Sequence, residues 1–415
     1  MKVISDLHIH SRFSRACSKD ITIPNLEKYA KIKGVNLLGT GDFTHPLWIK
    51  ELKENLKDDG NGILKTKSGF NFVLQTEISL IYSQGGKGRR VHNIVLAPSF
   101  EVVSQITDAL GKRGRLDYDG RPIFNIPCPE FVEMMMKISK DIEVIPAHIF
   151  TPWFAMFGSN SGFDSLKECF QDQTKHVHAI ETGLSSDPPM NWRLSQLDNL
   201  SILSFSDSHS FWPWRLGREA TVFDFDLSYK NLLKAIRTGE GLSATVEVDP
   251  NFGKYHLTGH RLCNVKLTPK ESLKLENICP KCGKPLTVGV LQRVEQLADR
   301  PEGFKPKNAK PFYSVIPLSE ILATILGKAV STKAVWGEYN KLISSFGSEF
   351  NVLLHTSFDD LKKVSNEKIA DVLIKNRNHE ISISAGYDGV YGEPIIGAVE
   401  LKQLKSQKSL LEFSK

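Results

Sequence analysis

The sequence predicts an α/β protein in three parts: a parallel α/β barrel over residues 1–240, a small cysteine-containing module over 241–310, and a mainly helical region over 311–400. Three observations support this division. Short apolar runs alternate with helix-like segments up to about residue 240. The chain is then rich in Pro, Gly, Lys and Cys up to about residue 310, and helical periodicity returns over residues 312–378. A lysine-rich tail at 401–415 follows.

The first part of the chain repeats a strand followed by a helix. The run VISDL near residue 3 precedes a helix-like stretch that begins at Ile23-Pro24 and ends at Gly34, because Pro is favoured in the first helical turn and Gly ends a helix. Further apolar runs follow in the order VNLLGT, FNFVLQT, VHNIVLA, IEVIPA, HAI and LSILSFS. Repeated strand-then-helix units are typical of a parallel sheet, most simply a closed barrel.

Metal-ligand residue types recur at or near the carboxyl ends of these runs. His8 and His10 follow the first run, and Asp207 and His209 follow the last; the i, i+2 spacing on an extended chain directs both members of each pair to one side. Strand ends of an α/β barrel converge on one face. The candidate ligands on this face are His8, His10, Asp42, His45, Glu77, His92, His148, Asp207 and His209. Imidazoles and carboxylates in this mixture suit Zn, Mn or Fe, so the pattern predicts a multinuclear hydrolytic metal site.

The cysteine-containing module has the spacing of a structural zinc site. Cys279 and Cys282 form a Cys-Pro-Lys-Cys-Gly knuckle, and residues 264–278 separate Cys263 from it. Six cysteines are too few for a disulfide scaffold in a chain of 415 residues, so their spacing matters more than their number. We predict a Cys3His site for a structural Zn²⁺, with His260 as the fourth ligand and His256 as the alternative.

Composition narrows the class of protein further. A hydrophobic share of 40% excludes a mostly disordered chain, and no apolar run reaches the roughly 18 residues needed to span a bilayer. The start MKVISDLHIH lacks the apolar stretch of a signal peptide, so we expect a soluble, cytoplasmic protein with no membrane partner. The net charge of +6 permits a polyanionic partner. Two basic, glycine-rich segments, Gly85–Arg90 and Gly111–Arg115, are expected to be solvated loop tips.

The residues around the candidate ligands resemble the polymerase and histidinol phosphatase (PHP) superfamily of metal-dependent phosphoesterases. DLHIHS resembles its first motif, LGTGDFTH its second, PAH its third and SDSH its fourth. The resemblance implies a distorted (βα)7 barrel that holds up to three divalent ions, Zn²⁺, Mn²⁺ or Mg²⁺. It also implies that Glu77 is a bridging carboxylate and that the catalytic residues are Glu77, His148, Asp207 and His209.

One position departs from the PHP pattern. The family's second motif places His directly after Asp, whereas here Phe43 follows Asp42 and the next histidine is His45. Either His45 replaces that ligand from two residues further on, or one ion is held differently. Glu181, at the end of the run HAI, has three open roles: a ligand, a partner of a ligand, or a proton acceptor.

The order of barrel, cysteine module and helical region resembles the endonuclease Q family of DNA repair enzymes. GKYHLTGHRLCNV and ICPKCGKPLTVGVLQRVEQLADRPEG carry this resemblance, which extends from DLHIHS to AGYDGVYGEP. It implies a metal-dependent endonuclease that cuts damaged DNA 5′ to deaminated bases (uracil, hypoxanthine, xanthine) or abasic sites, with DNA binding by residues 311–400. The alternatives are a PHP phosphatase of a small phosphate monoester and a non-catalytic DNA-binding adaptor; the nearly complete ligand set argues against the adaptor.

Further segments suit a DNA repair protein. Phe211–Arg215, a run of aromatic and cationic residues, directly follows His209, where either stacking on DNA or packing at the barrel rim accounts for its tryptophans. In the tail, Gln407, Leu410 and Phe413 stand at the three anchor positions of a sliding-clamp-binding peptide; the alternative is a frayed amphipathic end. The candidate phosphate contacts are the Lys and Arg residues of the two basic segments and, in the cysteine module, Lys254, Arg261, Lys281 and Lys284.

Overall fold

The computed structural model describes residues 2–396 of the chain. The predicted clamp-binding peptide at Gln407, Leu410 and Phe413 therefore lies outside the described residues. Within residues 2–396, every helix is too short or too polar to cross a membrane.

The N-terminal region alternates strands and helices, and the predicted α/β class is confirmed. Its strands are β1 (Lys2–Asp6), β2 (Leu37–Gly39), β3 (Lys57–Asp58), β4 (Leu64–Lys65), β5 (Asn71–Gln84), β6 (Lys87–Ala97), β7 (Ile123–Phe124), β8 (Glu143–Pro146), β9 (Ala179–Glu181), β10 (Ser201–Leu203), β11 (Ala220–Asp224) and β12 (Leu242–Glu247). Its α-helices are α1 (Ile23–Lys33), α2 (Pro46–Asn55), α3 (Phe100–Gly111), α4 (Cys128–Ile138), α5 (Leu166–Phe170), α6 (Pro188–Trp192) and α7 (Tyr229–Thr238). Short 3-10 helices span Gln171–His176 and Ser195–Leu197.

Local sequence signals account for the first helix. The Thr22 side chain accepts a hydrogen bond from the Asn25 N–H and so caps α1, and a proline occupies its first turn. Gly34 ends the helix in the left-handed conformation, with φ of 98°. The predicted limits of this helix are confirmed.

The sheet mixes parallel and antiparallel strands, which differs from the all-parallel expectation. β1, β2 and β5 pair in parallel, and so do β9 and β10, but β5 and β6 form a long antiparallel hairpin. Gly85 and Gly86 make its turn with positive φ angles of 61° and 72°, as a tight hairpin turn requires. The segment Gly85–Arg90 is therefore not wholly a loop, because β6 begins at Lys87.

Several strands are fully buried, and polar candidate residues follow the ends of strands. β2, β8 and β9 are buried at every position, as strands covered on both faces must be. Asp42, His148 and Asp207 come just after strands and adopt left-handed backbone conformations, with φ of 41°, 31° and 46°. Such conformations are costly for residues other than glycine and cluster at functional sites. The strand ends therefore carry the candidate site.

The cysteine module is a small unit with its own core. Val265, Cys279 and Leu286 form this core. Its elements are two 3-10 helices (Pro250–Phe252 and Arg261–Cys263), β13 (Thr258–His260), β14 (Val265–Leu267), α8 (Pro269–Lys274) and α9 (Val290–Leu297). β15 (Phe312–Ser314) pairs in parallel with β12, so the N-terminal sheet extends beyond the predicted module boundary at residue 310.

The C-terminal region is mainly helical, as the periodicity predicts. Its helices are α10 (Leu318–Leu326), α11 (Lys333–Phe346), α12 (Glu349–Leu354), α13 (Phe358–Val364) and α14 (Glu367–Arg377). A final hairpin of β16 (Ser382–Ser384) and β17 (Glu393–Ile395) follows. The backbone of Tyr387 in its loop pairs with Leu257, so this hairpin contacts the start of the cysteine module.

Candidate metal centre

Four side chains from distant strands meet in one buried cluster. The ligand atoms of His8, His10, Glu77 and Asp207 all lie within 4.8 Å of one another. His10 Nε2 lies 3.1 Å from Asp207 Oδ1 and 3.2 Å from Glu77 Oε2, and His8 Nε2 lies 3.6 Å from each of these oxygens. The alternation of side chains after β1 brings both histidines to one side, as the i, i+2 spacing predicts.

A second cluster shares Glu77 with the first. His92 Nδ1 lies 2.7 Å from Glu77 Oε1, and His148 Nε2 lies 3.3 Å from the same oxygen. One carboxylate oxygen of Glu77 therefore faces each cluster. A carboxylate with this arrangement suits two neighbouring cations.

Glu181, whose role the sequence leaves open, holds two candidate ligands in place. Its Oε1 lies 2.8 Å from His8 Nδ1, and its Oε2 accepts a hydrogen bond of 2.6 Å from the His148 backbone N–H. Because Nδ1 of His8 is engaged in this way, Nε2 is the nitrogen that faces the cluster. Carboxylates that bind the second nitrogen of a ligand histidine fix its tautomer and its orientation.

Asp42 lies beside the first cluster rather than in it. Its Oδ1 is 3.0 Å from His10 Nδ1, and its Oδ2 accepts hydrogen bonds from the Ser11 N–H at 2.6 Å and the Ser14 hydroxyl at 2.8 Å. These partners occupy both carboxylate oxygens. In this arrangement Asp42 orients His10 as Glu181 orients His8.

Two further predicted ligands lie outside both clusters. His45 caps α2 by accepting the Leu47 N–H, and its ring stacks on Phe13 with centroids 4.4 Å apart. The His209 ring lies 4.4 Å from that of His10, and its Nδ1 is 3.1 Å from the backbone oxygen of Asp207. Short-range contacts thus hold both rings, and the roles of His45 and His209 as metal ligands stay predictions.

The electrostatics of the clusters suit cation binding. Burial alone would raise the pKa of Glu77, but its close contact with the His92 ring and the positive charge of Arg121 hold it well below its usual range. The pKa of Asp207 is likewise well below its usual range, because His8 and His10 outweigh the effect of burial. Burial lowers the pKa of His92 to about 4, so its ring is neutral and can donate a lone pair near neutral pH.

A cavity of about 760 Å³ opens beside both clusters. Its inner wall includes His92, His148, Asp207 and His209. The aromatic residues that line it are Trp153, Phe154, Trp214, Tyr255 and Tyr391. The cationic residues that line it are Arg121, Arg215, Arg218 and Lys254. The sequence pattern points to Trp214, Arg215 and Lys254 but not to Arg121, whose only local signal is the tripeptide Asp119-Gly120-Arg121 before β7.

The cysteine module brings a third set of ligand atoms together. Those of His260, Cys263, Cys279 and Cys282 lie within 4.8 Å of one another, whereas His256 belongs to none of the clusters formed within residues 2–396. Burial raises the pKa of Cys279, but backbone N–H groups of Lys281 and Cys282 outweigh it and lower this pKa to about 6. A thiol of lowered pKa is a ready metal ligand.

The basic segment Gly111–Arg115 is largely neutralised by neighbouring acids. Arg113 pairs with Glu130 at 2.5 Å, and Arg115 pairs with Asp117 at 2.9 Å. These pairs are partly or largely exposed, which agrees with the expectation of a solvated surface segment.

The chain is similar to several known proteins. Residues 317–380 match the family described as the MJ0043 C-terminal domain. The lesion-specific endonuclease PfuEndoQ from Pyrococcus furiosus is 35% identical, with 97% of each chain covered and a TM-score of 0.86. Endonuclease Q in complex with a 27-mer duplex that carries an abasic lesion at the active site is also 35% identical, over 96% of this chain and 97% of that one, with a TM-score of 0.87. The protein MJ0043 of Methanocaldococcus jannaschii is 36% identical over 250 residues, which are 59% of this chain and only 31% of that protein.

The fold and the clusters define a mixed α/β protein with candidate metal sites at its strand ends. The chain agrees in sequence and fold with the two endonuclease Q structures over nearly its full length and theirs. The chain belongs to the endonuclease Q family.

Proposed function

We propose that this protein is a metal-dependent DNA repair endonuclease that hydrolyses the phosphodiester bond 5′ to deaminated bases (uracil, hypoxanthine, xanthine) or abasic sites. The observation that carries the proposal is the position of two histidine and carboxylate clusters, joined by Glu77, at the inner wall of an aromatic and cationic cavity. The family relationship supports the same reaction. The related endonuclease Q complex contains a duplex with an abasic lesion at its active site.

The proposed fold of residues 1–240 is a distorted (βα)7 PHP barrel with up to three divalent ions, Zn²⁺, Mn²⁺ or Mg²⁺. One buried atom supports the fit of cations in particular. His8 Nε2 has no hydrogen-bond partner within residues 2–396, although the side chain is fully buried and its other nitrogen is engaged by Glu181. A buried nitrogen without a partner is costly unless a ligand satisfies it. His8, His10, Glu77, Asp207, His92 and His148 would hold the ions.

The ions and the side chains have different roles in the proposed reaction. Bound divalent ions supply a water of lowered pKa and neutralise charge on the phosphate. The side chains hold the geometry: Glu181 and Asp42 fix the two strand-end histidines, and Glu77 keeps one oxygen in each cluster. No nucleophilic Ser or Cys is required by this route.

The surroundings of the clusters suit a polyanionic strand. Arg215 and Lys254 line the cavity, and the Lys254 ammonium lies 5.5 Å from the centre of the Tyr255 ring. Aromatic faces and cations side by side are the features that bind unpaired bases and their backbone phosphates. We infer that damaged DNA enters along this cavity, with residues 311–400 completing the DNA-binding surface.

One experiment tests the reaction. The protein and its Asp207→Ala variant are incubated with duplexes that carry uracil, hypoxanthine, an abasic site or no lesion, with divalent metal or with EDTA, and the cut ends are mapped. Cutting 5′ to the lesion by the wild type, and its loss in Asp207→Ala or EDTA, is expected. Asp226→Ala, at an exposed carboxylate, is the matched control and should cut normally. Intact lesion strands together with hydrolysis of p-nitrophenyl phosphate would instead establish the phosphatase alternative.

A structural Zn²⁺ in the cysteine module and a clamp-binding tail complete the proposal. His260, Cys263, Cys279 and Cys282 supply the nitrogen and sulfur donors that tetrahedral zinc prefers.

For the tail, deletion of residues 404–415 should abolish binding to a sliding clamp in a pulldown, and binding that survives the deletion would exclude this role for Gln407, Leu410 and Phe413.

A further inference from the structure

Arg121 is a cation that the predicted metal chemistry does not use. It lies between α3 and β7, and its Nη1 is 2.9 Å from Glu77 Oε2. The side chain is 26% exposed and lines the cavity beside the clusters. This contact is the one hydrogen bond that the Arg121 guanidinium makes within residues 2–396, so several of its five N–H donors are available to a ligand.

The neighbouring residues hold the backbone of Arg121 firmly. Asp119 accepts a hydrogen bond of 3.1 Å from the Arg121 N–H, and its other carboxylate oxygen lies 3.3 Å from Arg15 Nε. Gly120 packs directly on the site, since a Cβ there would lie 2.2 Å from Asp42 Oδ2. The tripeptide Asp119-Gly120-Arg121 thus packs against the Asp42 carboxylate, which orients His10. This packing fixes where the Arg121 side chain enters the cavity.

The other cations of the cavity differ from Arg121 in their partners. Arg215 pairs with Glu320 at 3.0 Å, and Arg218 donates to the backbone oxygen of Ser206 at 3.1 Å. Lys254 lies against the Tyr255 and Tyr391 rings. Of the lining cations within residues 2–396, Arg121 is the one that contacts a carboxylate shared by both clusters.

A divalent cation can displace the Arg121 guanidinium from Glu77, because both are positively charged. Arg121 and a divalent cation would compete for Glu77 Oε2, and like charges at such distances repel each other in a partly buried site. A guanidinium displaced from the carboxylate keeps its planar pair of donors, which match the oxygens of a phosphate group. The cavity provides the space into which it can turn.

We propose that Arg121 binds a non-bridging oxygen of the phosphate to be cut, and that this phosphate replaces Glu77 as its anionic partner when DNA and divalent ions are bound. The inference rests on the proposed endonuclease function and adds a substrate-binding residue to it. The competing explanation is that Arg121 only positions Glu77. If Arg121 binds the phosphate, its loss weakens binding of a charged phosphate more than binding of an uncharged one. If Arg121 only positions Glu77, its loss affects both equally.

A comparison of two uncut substrates separates these explanations. One lesion duplex carries a nuclease-resistant phosphorothioate at the scissile position, which keeps the negative charge and one non-bridging oxygen, and the other carries a methylphosphonate, which removes the charge. Fluorescence anisotropy measures the affinity of metal-loaded wild type, Arg121→Gln, Arg121→Lys and Arg15→Gln for both duplexes. Arg15 is the matched control, because it joins the same Asp119 but is 76% exposed. Metal content is measured for every protein.

The wild type and Arg15→Gln should both prefer the charged duplex. Arg121→Gln should lose about 10- to 100-fold of this preference, as expected for one hydrogen bond between charged groups, with unchanged metal content. Arg121→Lys should retain part of the preference, since the charge remains.

Two results would overturn the proposal. An unchanged preference in Arg121→Gln would show that the residue does not sense the phosphate. Loss of metal in both Arg121 variants would assign it to the positioning of Glu77. Failure of the endonuclease proposal is recognised separately, because the wild type would then neither bind nor cut lesion DNA.

Discussion

Replacement of Glu349 by Ala should loosen the contact between the helical region and the N-terminal region. Glu349 is fully buried and accepts three hydrogen bonds: from Lys33 Nζ at 2.7 Å, the Tyr339 hydroxyl at 2.7 Å and the Leu318 N–H at 3.0 Å. Lys33, on α1, is 1% exposed and also donates to the Pro213 carbonyl at 2.9 Å. The substitution therefore leaves a buried ammonium with one neutral acceptor.

The magnitude follows from these contacts. Removal of one partner of a buried ion pair costs about 3–5 kcal/mol of the free energy of unfolding, because the remaining charge stays out of water. Tyr339→Phe removes one hydrogen bond to a charged group and should cost about 1.5–3 kcal/mol. The double replacement Lys33→Met with Glu349→Leu removes both charges, and it should restore most of the loss seen in Glu349→Ala.

Guanidinium chloride unfolding followed by tryptophan fluorescence measures these changes. The Trp336 ring of α11 lies 5.4 Å from each of Trp212 and Trp214, so the signal reports on this contact directly. Glu349→Ala within about 1 kcal/mol of wild type, or a double variant no more stable than Glu349→Ala, would refute the reasoning. Because Pro213 belongs to the loop that follows His209, the proposed cleavage of lesion DNA should also slow in Glu349→Ala.

Three further predictions concern single side chains. Glu181→Gln should weaken metal binding by about 10- to 100-fold in a titration, because the amide is a poorer acceptor for His8 Nδ1; an unchanged affinity would contradict its orienting role. Cys279→Ser should abolish stoichiometric zinc and weaken DNA binding, and zinc retained in the purified variant would argue against the Cys3His site. Burial raises the pKa of Glu247 to about 8, so the folded state holds a proton between about pH 4.5 and 8 that the unfolded state has released. Wild-type stability should therefore fall as pH rises through this window, whereas Glu247→Gln should be the more stable protein at pH 8 by over about 1 kcal/mol; parallel stability curves for both proteins would refute this.

Local signals in the chain account for much of the fold. Pro in the first turn and Gly after the last predict the limits of α1, and helical periodicity predicts the helices between residues 318 and 377. The β5–β6 hairpin differs from the parallel expectation because one pair of glycines reverses the chain within two residues. β15 joins the N-terminal sheet through pairing with β12, which no local pattern in its three residues encodes.

The sequence by itself determined which residue types stand at the strand ends and at the cysteine knuckle, because strand periodicity and ligand spacing are properties of neighbouring residues. Only the tertiary structure decided their roles. Glu181 reaches His8 across 173 positions of the chain, and Arg121 reaches Glu77 across 44. The structure also places Asp42 and His209 directly beside the first cluster, and it brings His260 rather than His256 to the three cysteines. These distinctions depend on distances of a few ångströms between elements far apart in sequence, which are set by how the strands and helices pack.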